Sequence, residues 1–276
     1  AVFEGHAKND YTPYTYKTTD YGKTWKSIIT PDVDGFVRNI QEDFKNENLL
    51  FLGTEKGLYI TIDGGANWSH FTNNMPSVAV HFMDINKKTN SLVMATHGRG
   101  VIILDDITPL RQINQEVLAK DVHFFDLKPA IIEEQSSFGT TATELEFVGR
   151  NPSTSAQIIY YLKKRHTLGK MDIEIQDEKG NKIISLAPGK QKGINVVNWD
   201  YNMKNPKIAA AKTLSFAGFT APRVQEGTYK VVLTKGKETY THNLKVLNDP
   251  KSSISAADRL KQKETTRELF NKNEEL

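Results

Sequence analysis

Between residues 37 and 106 the apolar residues come in short bursts instead of at helical spacing. VRNIQED (37–43), LLFLGT (49–54), GLYITI (57–62) and NWSHFT (67–72) form one set, and VHFMDIN (80–86), SLVMAT (91–96) and GVIILDD (100–106) follow in the same order. Turn residues such as KNEN (45–48) and KKTN (87–90) separate them. Runs of this length and composition, bounded by such clusters, predict short strands joined by tight turns.

The bursts repeat. TTDYGKTW (18–25) returns as TIDGGANW (61–68), with Asp20 and Asp63, and likewise Trp25 and Trp68, 43 residues apart. Upstream, YTYKTTD (14–20) aligns with GLYITID (57–63). A further 43 residues on, GVIILDD puts Asp106 at the Asp63 position, without the glycines and the Trp. Four strands in about 40–45 residues is the size of one β-propeller blade. The reading is an all-β chain that starts with part of a propeller, its last two to three blades.

The repeated box has the form Ser/Thr-x-Asp-x-Gly-x-Thr-Trp and lies between the third and fourth strands of a blade. A short acceptor at Asp20 or Asp63 takes hydrogen bonds from the N–H groups of its own turn. Gly22 and Gly65 supply a positive φ that a Cβ would oppose. Trp25 and Trp68 are expected to bury apolar surface where blades meet. Every residue type has a structural task, so the box is read as structural, with no group left for proton transfer. In an antiparallel meander the boxes share one end of the blade with the first turn. The second turn and the links between blades share the other end, which is the expected ligand face.

These segments resemble the Asp-box (bacterial neuraminidase) repeats of sialidases, xyloglucanase-type glycosidases and sortilin-type propellers. PYTYKTTDYGKTW (13–25) and THGRGVIILDDITPLRQ (96–112) also resemble large exported proteins of Bacteroidetes-type bacteria described as sortilin-like or glycosyl hydrolase-like. The resemblance implies an exported location (periplasmic, outer-membrane-associated or extracellular) and places these segments in the last blades before an Ig-like domain. Fewer than three blades are present, whereas closed propellers have about 4–8. The missing blades are expected on the same longer protein or on another chain. The opening AVFEGHAKND, which lacks an initiator Met and an apolar leader, is read as the start of a piece of something longer or of a processed product.

Downstream, INQEVLAKDVHFF reads as a helical turn and a strand, and residues 127–142 as a connecting stretch. From about 143 the pattern alternates: ELEFVGR, AQIIYYLKK, MDIEIQDEKG, NKIISLA, GINVVNWD, GTYKVVLTKG and KETYTHNLKVL. Seven strands with hairpin turns at EKGN and TKGKE predict an Ig- or fibronectin-III-like sandwich over 143–249. Trp199, Tyr160, Tyr161 and Tyr229 fall at alternating positions and are read as core. The long connection 201–224 is read as packing on a neighbouring domain. The tail, 250–276, opens with a capping-box pattern from Ser255 to Asp258 and reads as a solvated helix. The resulting plan is 1–126 propeller blades, 127–142 linker, 143–249 sandwich and 250–276 helical tail.

Composition narrows the chemistry. The net charge of +3 is spread along the chain, with no basic stripe for nucleic acid. No apolar run approaches the ~20 residues of a membrane span. There is no cysteine, and His6, His70, His81, His123, His166 and His242 show no ligand spacing, so no metal is expected. No phosphate loop, HExxH or nucleophile elbow is present, so no cofactor is expected. Two places on the ligand face remain. THGRG puts His97 and Arg99 in a second-to-third strand turn, where Arg can clamp a carboxylate and His can act as base or ligand. The competing reading has Arg99 paired to a neighbouring carboxylate, locking the blade junction. TPDVDGF (30–36) puts Asp32 and Asp34 in an inter-blade link, where turn formation is the simpler reading. Arg38, Arg99 and Arg111 are available for a sialidase-type three-arginine clamp, although no pattern marks them as one.

Three functions stay open. The first is a non-catalytic binding or scaffold part that recognises a protein, peptide or glycan. The second is a glycoside hydrolase whose acidic pair lies partly in missing blades. The third is an accessory subunit of a cell-surface or outer-membrane assembly.

Overall fold

The structure is a computed structural model and describes residues 1–133, 153–206 and 221–275. It is mostly β and divides into two units, Ala1–Leu118 and Ala119–Leu276.

The first unit is built from three antiparallel meanders. The first sheet holds β1 (Val2–Gly5), β2 (Asp10–Lys17) and β3 (Lys26–Ser27). The second holds β4 (Val37–Glu42), β5 (Leu50–Thr54), β6 (Gly57–Thr61) and β7 (Ser69–His70), in that order. The third holds β8 (Val80–Asn86), β9 (Ser91–Thr96) and β10 (Val101–Leu104). Two short helices follow, α1 (Thr108–Gln112) and α2 (Gln115–Ala119).

The second sheet is covered on both sides, and that is why β5 and β6 are buried along their whole length. Leu50, Leu52, Tyr59 and Trp68 pack toward the first sheet with Val2, Ile28 and Ile29. Leu49, Phe51, Leu58 and Ile60 pack toward the third with Val80, Met83, Leu92 and Met94. The two sheets approach closely at Gly53, where a Cβ would lie 2.6 Å from the Val80 carbonyl oxygen.

Where a third box would stand, the chain turns into α1. Asp106 accepts a hydrogen bond from the Thr108 N–H at 2.8 Å, and Pro109 sits in the first turn, where its missing N–H costs nothing. Arg111 of α1 then reaches back to Asp43, one residue beyond β4. Its Nη2 and Nε lie 2.7 and 2.9 Å from the carboxylate oxygens, and both side chains are buried. The guanidinium also lies 4.7 Å from the centroid of the Phe44 ring.

The second unit is a sandwich of two sheets. One contains β11 (Val122–Phe124), β13 (Ala156–Leu162) and β16 (Gly193–Trp199). The other runs β12 (Ala130–Ile132), β18 (Glu238–Asn248), β17 (Gly227–Lys235), β14 (Met171–Gln176) and β15 (Lys182–Leu186). β12 pairs parallel to β18; the other ladders are antiparallel. Alternate residues of both sheets meet in one core, for example Ile158, Tyr160 and Trp199 against Ile173, Val231 and Leu244. Its polar tips are satisfied by backbone: Tyr160 donates to Gly189 O, Trp199 to Asn202 O and Tyr229 to Gln225 O, and the one O–H of Tyr201 is shared between Ile131 O and Thr154 O, each 3.0 Å away.

Helix α3 (Ala256–Glu275) closes the chain. Ser255 Oγ accepts from the Asp258 N–H at 3.1 Å and donates to its carboxylate at 2.7 Å, so Ser255 caps the helix, with the Asp258 carboxylate on the serine hydroxyl instead of on its backbone N–H. Most of the helix is exposed, as its mixed charges predict, and Phe270 is its one buried residue. Phe270 is buried under Lys204, and Arg259 pairs with Glu226.

The chain divides after Leu118, upstream of the predicted position at 126, because β11 pairs with β13. Within the predicted linker, Ala130–Ile132 is a strand. Six of the seven predicted sandwich runs contain strands; ELEFVGR and most of the 201–224 connection lie outside the described residues.

Candidate functional site

Each box closes on itself. Asp20 accepts from the Thr24 N–H at 2.9 Å, the Thr24 hydroxyl at 2.6 Å and the Thr18 hydroxyl at 2.8 Å. Asp63 accepts from the Asn67 N–H at 2.9 Å, the Asn67 side-chain amide at 2.7 Å and the Thr61 hydroxyl at 2.7 Å. The Thr24 and Thr18 hydrogen bonds hold the Asp20 carboxyl down to about 2. At Asp63 burial acts to raise the pKa, and the Asn67 and Thr61 hydrogen bonds outweigh it, so the net direction is down.

Gly22 and Gly65 have φ of 87° and 94°; at Gly65 a Cβ would also lie 2.8 Å from Ile28 Cβ. The two tryptophans differ. Trp68 is 4% exposed and donates to the Ile28 carbonyl at 2.7 Å, bridging to the first sheet. Trp25, expected to be buried at a sheet junction, is 51% exposed and donates to Gly22 O in its own turn. Among the described residues no preceding sheet offers Trp25 a counterpart of Ile28.

The link end lies opposite. Ser77 Oγ donates to Lys56 O and the His97 N–H donates to Ala79 O, so the link before β8, the β5–β6 turn and the β9–β10 turn converge there. His97 and Arg99 are exposed on the last of these. Gly98 and Gly100 adopt φ of 94° and 64°, and Thr96 closes the turn through its N–H and hydroxyl, both on Gly100 O. The His97 ring lies 5.4 Å from that of His81. No described carboxylate pairs with Arg99. Asp32 and Asp34 are both exposed on the link before β4. Asp32 accepts from the Thr30 hydroxyl at 3.3 Å, and the Asp34 N–H donates to the Tyr59 hydroxyl at 3.1 Å. No described hydrogen bond or ion pair joins them to His97 or Arg99.

A second group at this end had no signal in the letters. Phe36 is buried beneath the His6 ring, stacked at 4.9 Å, and the Arg38 guanidinium, 4.6 Å from its centroid. Arg38 pairs with Glu4 at 3.0 Å and Glu55 at 3.3 Å. Arg38 and His81 occupy equivalent β-bulges at the starts of β4 and β8. A bulge re-aims a side chain and is frequent beside functional sites. The matched bulges are a pairing property that no residue type announces.

The three-arginine clamp is not assembled. Arg38 and the Asp43 partner of Arg111 flank opposite ends of β4, about 17 Å of strand apart. A groove of about 690 Å³ borders the box end, with Leu110, Ile113 and Phe71 on its walls together with the already engaged Asp63 and Asn67. Among the described residues no three His, Asp or Glu side chains gather as a metal site. No described helix is long and apolar enough to cross a membrane.

No family model matches the chain, and no curated protein matches it. A solved structure that is similar is the extracellular domain assigned to a one-component system, BT4673, from B. thetaiotaomicron: 10% identity, TM-score 0.25, covering 83% of this chain. The chain spans 28% of the length of that protein chain.

Proposed function

We propose that the first unit is the C-terminal part of an Asp-box β-propeller in an exported protein, and that it is a non-catalytic binding or scaffold element. Its ligand is a carboxylate-bearing protein, peptide or glycan held at the link end. One observation carries this reading: Arg99 stands exposed and without a carboxylate partner among the described residues, on a turn set by two positive-φ glycines beside the His81–His97 pair. The box carboxylates, by contrast, spend their acceptor capacity on their own turns.

The propeller reading is supported by the 43-residue repeat, the four-strand meander of the second sheet and the bridge from Trp68 to Ile28. The export reading rests on the family resemblance. An Ig-like second unit is supported by strand order. β11, β13 and β16 face β15, β14, β17 and β18, and Tyr229, near the start of β17, bonds a carbonyl four residues upstream.

The test is equilibrium binding of the full-length protein to sialylated glycans and acidic peptides, with sialosides and neutral β-glucans also assayed for sugar release. Binding without turnover is expected, weakened at least tenfold by Arg99→Ala and by His97→Ala with the thermal midpoint unchanged. Sugar release abolished by Asp32→Ala or Arg99→Ala would replace this reading with a glycoside hydrolase.

A further inference from the structure

The third sheet repeats the second and lacks its cover. The β5–β6 ladder pairs Phe51 with Ile60 and Gly53 with Leu58. The β9–β10 ladder pairs Val93 with Ile103 and Ala95 with Val101. These are the same two rungs, since LFLGTEKGLYIT (50–61) aligns with LVMATHGRGVIIL (92–104) once the turn is lengthened by one residue. In the second sheet the third sheet buries them: Leu58 is 0% exposed and Ile60 8%. In the third sheet Val101 is 63% exposed and Ile103 55%, and Phe82, opposite Ala95, is exposed beside them. The edge is open as well. β6 has β7 beyond it, whereas among the described residues β10 pairs with β9 alone. A contiguous apolar face next to an unpaired strand edge marks an interaction surface.

We propose that this face (Phe82, Val93, Val101 and Ile103) is the docking surface for a further sheet of the same repeat, supplied from outside residues 1–276. The occupant is argued from the molecule itself, which covers Phe51, Leu58 and Ile60, the second-sheet equivalents of Val93, Val101 and Ile103, with another such sheet; Phe82, whose equivalent is the polar Asn39, enlarges the apolar face. The proposal deepens the propeller reading and rests on it, but it does not depend on any ligand. The incoming sheet does not copy its predecessor fully. Val80 O approaches Gly53 so closely that a Cβ does not fit, and the equivalent residue, Ala95, carries one. The incoming inner strand therefore sits farther out at that rung than β8 does at its own.

Residues 1–276 contain no cysteine, so introduced thiols have no competitor within this segment, and the unsubstituted parent protein labelled in parallel supplies the background from elsewhere. Val101→Cys, Ile103→Cys and, as an exposed control, Lys88→Cys are placed in the full-length protein in its native cells and labelled with a maleimide. Both face variants are expected to label at least tenfold more slowly than the control. A photoactivatable maleimide at position 101 is expected to cross-link to a strand adjoining a Ser/Thr-x-Asp-x-Gly turn outside residues 1–276. Labelling at the control rate overturns the proposal. So does a cross-link to residues 119–276, to a second copy of residues 1–118, or to a chain without the repeat. If Val101→Cys fails to fold, Ile103→Cys carries the same readouts. Loss of ligand binding with protection intact removes the binding function alone.

Discussion

At the scale of the residue, identical letters meet different surroundings. Trp25 and Trp68 occupy the same box position, yet among the described residues Trp68 bridges to a neighbouring sheet and Trp25 bonds within its own turn. Trp68→Ala is expected to cost about 3–5 kcal/mol of stability, the range for a large buried aromatic. Trp25→Ala should stay within about 1 kcal/mol, as for exposed positions. Denaturant titration of the two variants separates them. Asp20 makes a pH-dependent contribution of fixed sign. Its carboxyl is held at about 2 by the Thr24 and Thr18 hydrogen bonds, against 3.8 ordinarily. The unfolded chain therefore takes up the proton first, and the contribution is complete above about pH 4 and lost as pH falls toward 2. The unfolding midpoints of the parent and Asp20→Asn should differ at pH 6 and converge near pH 2. A gap that stays constant across that range would mean that the hydrogen bonds to Asp20 do not depend on its charge.

At the scale of the element, the helix after the third sheet is held by one buried ion pair. Arg111 brings its charge to Asp43 across the β4–β5 turn, and Asn46 donates to the Arg111 carbonyl. Removing one partner leaves the other charge buried alone, so Asp43→Ala is expected to destabilise the first unit by about 3–5 kcal/mol. The double variant with Arg111→Met should recover part of the loss, and calorimetry of the three variants measures the coupling. Helix α1 was also the element least legible in the letters. The strands were readable because alternation and turn residues are local; VHFMDIN and SLVMAT became β8 and β9 residue for residue. TPLRQ follows a decayed box and carries no periodic stripe, and it is helical through Asp106, Pro109 and a tertiary ion pair. The site divides likewise. The glycines of THGRG announced a turn holding His97 and Arg99. The bulges that re-aim Arg38 and His81, and the stack of His6 on Phe36, depend on cross-strand register and on residues distant in sequence.

At the scale of the whole chain, each unit carries its own hydrophobic core. Leu58, Met83 and Met94 belong to the first, and Tyr160, Trp199 and Val231 to the second. Chains with more than one such core depart from a single all-or-none transition, so unfolding should proceed in two steps with separate sensitivities. Trp199 is fully buried against Tyr229, ring centroids 5.2 Å apart, and its indole N–H is spent on Asn202 O. Trp199→Phe keeps part of the packing and loses that hydrogen bond. It should lower the midpoint of one transition by several degrees, since about 1 kcal/mol moves a domain of this size by roughly 3–6 °C. Trp68→Ala should move the other transition and leave the first in place. The chain's three tryptophans are divided between the units, two in the first and Trp199 in the second, so fluorescence assigns each step while calorimetry counts them. One transition displaced equally by both substitutions would show the two cores melting as a single cooperative body, and with it would go the division of the chain into a repeat-built unit and a separate sandwich.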